Sequence, residues 1–141
     1  MAQGPPTFVD TNVLAYAHDR SEVAKQPVAA AAVRSLWEDG TGVLSTQVLQ
    51  EFYVVVTRKF DAPMSRKEAA GIVALYGQWK VVSVDVAMIL ASSKLEDRHR
   101  LSFWDALIVE AARRAGARRL LSEDFESGRD FAGIRIENPF R

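Results

Sequence analysis

Four acidic residues, Asp10, Glu51, Asp105 and Asp124, stand where apolar stretches begin or end. Asp10 closes the run in "TFVDTNVLAY", and Asp124 follows one in "RRLLSEDF". Glu51 has Val48, Val54 and Val55 three or four positions away, and Asp105 has Leu101, Ile108 and Val109. On a helix, either carboxylate therefore lies on an apolar stripe. Burying an unpaired carboxylate costs free energy, and like charges held close together repel unless a cation sits among them. Oxygen-only donors suit a hard ion such as Mg²⁺ or Mn²⁺, and Mg²⁺ commonly joins protein carboxylates to phosphate groups. If the four converge, the chemistry they support is a divalent cation held against a phosphate. Each also has a plainer reading. Asp10 with Thr11 and Asn12 can cap a helix, Ser102 and Asp105 resemble a capping box, Asp124 can cap the turn in "EDFESG", and Glu51 can sit at the edge of a rotated helix. Capping and ligation are compatible roles for one residue.

The elements around these acids decide whether they can meet. Short Val/Leu/Ile-rich runs at Thr7–Asp10, "TGVLS", "KVVSV", "RRLLS" and "GIRIEN" read as five strands. Between them lie helical patterns over residues 13–18, 23–40, 46–60, 65–79, 86–100 and 102–116. Ser45 or Thr46 caps the third helix, Ser65 with Glu68 forms a capping box, and Gly40 and Gly116 are stops. Pro27 belongs in a first turn, where its missing N–H is harmless. Alternating helices and strands predict an α/β fold, a three-layer α/β/α sandwich with a five-strand, mainly parallel central sheet. Ligands gather at the carboxyl ends of strands in such sheets. Asp10 and Asp124 follow strands there, Glu51 is early in the helix after the second strand, and Asp105 opens the helix that feeds the fourth.

Composition narrows the classes. The 141 residues read as one domain over 1–141, with 48% hydrophobic and 26% charged residues, ordinary for a globular chain. Eighteen basic and eighteen acidic residues balance, so polyanion binding must rest on local patches. With no cysteine, disulfides, thiolate metal sites and cysteine nucleophiles are excluded, which fits a cytoplasmic location. The N-terminal "MAQGPPTFVD" has no signal-peptide pattern, and no apolar run is long enough for a membrane span. His18 and His99 lack metal-ligand spacing and are expected at solvated helix ends. Phosphate-loop and dinucleotide-loop motifs are absent, and no serine has a nucleophile-elbow context.

The stretches "FVDTNVLAYAHD", "LSTQVLQEFYVVVTRK", "LSFWDALIVEAARRAGARRLLSEDF" and "IRIENPF" together resemble PIN-domain proteins, specifically VapC-type toxins of bacterial toxin–antitoxin pairs. The likeness runs over nearly the whole chain in the family's order. It implies a Mg²⁺- or Mn²⁺-dependent ribonuclease whose acidic cluster is Asp10, Glu51, Asp105 and Asp124. On that reading Asp10 and Asp105 bind the metal directly, Asp124 does so directly or through water, and Glu51 positions water or acts as a base. Asn12 and Ser122 are polar neighbours that orient the cluster; Ser122 stands where the family often has Thr. The resemblance also implies an RNA substrate, a VapB-like antitoxin and a homodimer. Arg98 and Arg100 lead the candidates for RNA contact, ahead of Arg58, Lys59, Arg113 and Arg114, while Trp104 is expected to pack. Two alternatives stand beside this reading. "FVDTNV" resembles the opening motif of haloacid-dehalogenase-like phosphatases, with Asp10 as nucleophile and Asn12 in place of a second Asp. A non-catalytic, antitoxin-binding module is the other.

Overall fold

A computed structural model describes residues 4–141; the first three, part of the N-terminal stretch read above for a signal peptide, lie outside the described residues. The strands are β1 (Thr7–Val9), β2 (Gly42–Ser45), β3 (Lys80–Val82), β4 (Arg119–Leu121), β5 (Asp130–Phe131) and β6 (Ile134–Glu137). The helices are α1 (Thr11–Tyr16), α2 (Lys25–Asp39), α3 (Thr46–Arg58), α4 (Arg66–Tyr76), α5 (Val86–His99) and α6 (Phe103–Arg114). They build one sheet of order β3-β2-β1-β4-β6-β5, parallel throughout except for the β5–β6 pair.

The sixth strand corrects the expected five. β5 is two residues long and joins β6 through Ala132 and Gly133, whose φ values are 55° and 85°. A two-residue hairpin turn with both φ positive normally announces itself as Asn-Gly or Asp-Gly. Here it reads Ala-Gly, so no turn signal marks it. The helix limits follow local chemistry. Ser45, Ser65, Asp85 and Ser102 cap α3, α4, α5 and α6, each accepting from the N–H three residues on. Gly40 ends α2 in the left-handed conformation, and Pro27 lies in the first turn of that helix.

The order of the strands fixes the layers. From β1 the chain steps outward through β2 to β3, then returns across the sheet to β4, on the other side of β1. Right-handed crossovers therefore put α1–α4 on one face and α5–α6 on the other. Phe8, Val9, Leu44, Leu120 and Ile136 are buried between these layers. Among the described residues no helix is long and apolar enough to cross a membrane.

Candidate active site

The direction of the chain's advance reverses between β1 and β4, the kind of switch point where open α/β sheets bind ligands. Asp10 and Ser122 follow those two strands, and the Ser122 hydroxyl donates to Asp10 Oδ2 at 2.8 Å. Asp10 Oδ1 accepts from the Thr11 N–H at 2.7 Å, so the residue does cap α1 while its carboxylate stays at the sheet edge. It is 6% exposed, and its pKa is pushed up to about 7. Burial is the largest cause; the bonds from Ser122 and Thr11 act the other way, and the charges of Asp124 and Glu51 add to the rise.

The other acids come from separate elements. Glu51 projects from the second turn of α3, where Thr11 Oγ1 donates to its Oε1 at 2.8 Å. Asp105 lies in the first turn of α6; its backbone N–H donates to Ser102 Oγ at 3.1 Å, so Ser102 is the cap. The Asp105 carboxyl is raised, by burial first and then by the charge of Asp124, while Ser102 lowers it. Asp124 is exposed, and its N–H donates to Ser122 Oγ at 3.1 Å. Asp10, Glu51, Asp105 and Asp124 all line one cleft of about 560 Å³ at the carboxyl end of the sheet. Asn12 also lines it; its Oδ1 accepts from the Glu123 N–H at 3.2 Å, tying the start of α1 to the loop that carries Asp124. Its Nδ2 is buried without a hydrogen-bond partner.

Several readings of individual residues change. Arg98 and Arg100 are exposed at the end of α5 and are not among the cleft's walls, whereas Lys59 is. Arg113 and Arg114 are engaged with Glu110, at 2.7 and 2.9 Å. Glu110 is 2% exposed; burial pushes its pKa up, but the two arginines outweigh that and hold it low. Their charge balances a buried acid. Trp104, expected to pack, is 63% exposed beside the cleft. Both histidines are half-buried rather than solvated. His18 is bonded to the Tyr76 hydroxyl at 2.7 Å, and His99 stands edge-on to Phe131 at 5.3 Å. Thr11 was missed as a site residue. Its only signal in the sequence is its place after Asp10, which reads equally as capping.

With this geometry in place, a PIN domain family model matches residues 7–130. The chain belongs to the PIN domain family. The phosphatase reading, which needs Asp10 as a nucleophile on another fold, falls with that finding. Solved structures with the same fold include the Mycobacterium tuberculosis toxin VapC20, described as Sarcin-Ricin loop cleaving. It is 24% identical, with a TM-score of 0.66 over 92% of this chain and 98% of that one. A toxin–antitoxin complex from Klebsiella pneumoniae is 17% identical, with a TM-score of 0.66 over 94% and 97% of the two chains. FitAB bound to the IR36 DNA fragment is 16% identical, with a TM-score of 0.61 over 96% of each. No curated protein matches the chain.

As a metal site, this PIN domain's cleft offers the right donors but not a closed cage. Among the described residues no three His, Cys, Asp or Glu side chains stand close enough to share an ion. Mg²⁺ often uses only one or two carboxylates and completes its shell with water and substrate phosphate, so a closed cage is not required. Asp10, raised by burial first and further by two neighbouring carboxylates, is a group whose ionised form a bound cation would favour.

Proposed function

We propose that this protein is a Mg²⁺- or Mn²⁺-dependent endoribonuclease, the toxin of a toxin–antitoxin pair with a VapB-like antitoxin as partner. One observation carries the reading: four carboxylates from four separate elements line a single cleft at the sheet's switch point. The fold shared with VapC20, a Sarcin-Ricin loop cleaving toxin, supports it, as does that shared with a toxin–antitoxin complex. Asp10 and Asp105 would hold the cation, with Asp124 completing the set. When bound, a divalent cation polarises the phosphodiester and stabilises charge on the leaving oxygen. The chain's own residues do the rest. Ser122 and the Thr11 N–H fix the Asp10 carboxylate. Thr11 Oγ1 holds Glu51 Oε1, leaving Oε2 to orient water and take up its proton. Lys59 lines the same cleft and supplies positive charge for an RNA phosphate. A homodimer and a cytoplasmic location belong to the same proposal, which rests for them on family likeness.

The test is cleavage of RNA by purified protein with Mg²⁺ or Mn²⁺, by wild type and by Asp10→Asn. Cleavage is expected to stop in excess EDTA and to be lost in the variant. In cells, expression without the antitoxin should arrest growth, and Asp10→Asn should relieve the arrest. Cleavage that persists in chelator after contaminating nucleases are removed overturns the metal mechanism. Metal binding with no cleavage by wild type, together with antitoxin binding, points instead to a non-catalytic binding module.

A further inference from the structure

Trp104 is the most exposed aromatic side chain of the described residues that has no structural use in view. Trp37, exposed by 41%, at least packs against Trp79 at 5.6 Å and Tyr76 at 5.7 Å. Trp104 is 63% exposed, and among the described residues its ring pairs with one other aromatic ring, Phe103, at 5.5 Å and edge-on. Its backbone is fixed all the same. Ser102 caps the turn it sits in, and the Gln47 side chain reaches across from the start of α3 to donate to the Trp104 carbonyl at 3.4 Å. Gln47 is 5% exposed, and its Oε1 is buried without a hydrogen-bond partner. A rigid turn therefore presents a large apolar ring to water, one residue before Asp105 and in the wall of the acid-lined cleft.

The surroundings select the ring's occupant. An apolar protein side chain covering Trp104 would also strip water from Asp105 and its neighbours, at a cost. A nucleotide carries a flat, stackable base and a phosphate on one short sugar, which matches an indole beside carboxylates able to share a cation with that phosphate. Stacking on an aromatic ring needs an open base face, and paired bases have none. We propose that Trp104 is the stacking platform for an unpaired base next to the phosphate that a cation on these acids would hold. This rests on the ribonuclease reading and adds a base-contacting residue to it.

The experiment uses the full chain carrying Glu51→Gln, to suppress cleavage, with Mn²⁺ present. Three fluorescein-labelled probes are compared by anisotropy: a mixed-sequence single-stranded RNA, the same RNA in a perfect duplex, and an abasic ribose-phosphate oligomer of equal length. Adding Trp104→Ala should weaken the single strand by roughly 5- to 150-fold. Trp104→Phe should retain most of the affinity, and neither change should matter for the abasic oligomer or the duplex. Thermal melts confirm that the variants fold. Equal single-strand affinity with Trp104→Ala overturns the proposal and marks the ring as a protein-contact face. Equal losses on all three probes overturn it too, since the effect is then not stacking. No binding of the single strand by the Glu51→Gln protein overturns it with the RNA reading itself. Wild type that fails to cleave in Mn²⁺, while the Trp104 effect persists, defeats only the ribonuclease reading and leaves stacking supported.

Discussion

Thr11 does two jobs with two atoms: its N–H steadies Asp10 and its hydroxyl steadies Glu51. Thr11→Val keeps the shape and the N–H but removes the hydroxyl. RNA cleavage should fall by roughly 10- to 100-fold, the usual cost of losing an orienting partner, with the melting temperature little changed. An unchanged rate would show that Glu51 needs no such support. Asp10 makes a second prediction, about pH. Its carboxyl titrates near its ordinary 3.8 in the unfolded chain and at about 7 in the metal-free fold. Between those values the folded protein holds a proton that the unfolded chain has released, so stability falls as pH rises through that window. The penalty is absent below 3.8 and complete above 7, and reaches on the order of a few kcal/mol. Asp10→Asn cannot ionise and should lose this part of the slope. Denaturant titrations of both proteins in EDTA across pH 4–8 measure it; identical slopes would remove Asp10 as the cause.

At the scale of elements, what was legible depended on whether a local signal existed. The four inner parallel strands are dense in Val, Leu and Ile, and the caps at Ser45, Ser65 and Ser102 are visible as residue types. The meeting of the acids at one end was legible too, because parallel strands place all their carboxyl ends on one edge. β5 was not legible, since two residues carry no period and Ala132 is a poor mark for a left-handed turn. Trp104 was misread because a bulky aromatic in the first turn of an apolar helix ordinarily packs, and its direction depends on how α6 meets α3. Arg113 and Arg114 are claimed by Glu110, whose burial three and four positions before them no local pattern marks. The hairpin supplies a prediction. Ala132 holds φ 55°, which costs an L-residue roughly 1–2 kcal/mol, so Ala132→Gly should stabilise by up to about 1 kcal/mol after Gly's entropy is charged against it. A clear loss in urea denaturation would mean the turn is not strained as placed.

Over the whole molecule, the acids impose a tension that folding alone does not relieve. Packing and the parallel sheet bring Asp10, Glu51, Asp105 and Asp124 to one cleft, where burial first, and like charges after it, raise both Asp10 and Asp105. A fold that buries carboxyls beside one another gains most from whatever neutralises them, so metal and stability should be linked. Asp105→Asn separates this from helix capping, because the capping bond runs from the Asp105 N–H to Ser102 and survives the substitution. Without metal the variant should be as stable as wild type or more so, since it loses a half-buried charge facing Asp124. Wild type should gain about 2.7 kcal/mol when Mn²⁺ is a hundredfold above its dissociation constant, and the variant much less over the same range. Thermal melts of the two proteins in EDTA and in a Mn²⁺ series make the comparison. If Asp105→Asn is clearly weakened in EDTA yet answers Mn²⁺ as wild type does, its carboxylate serves the helix, and the cation, if one binds, is held by the other acids.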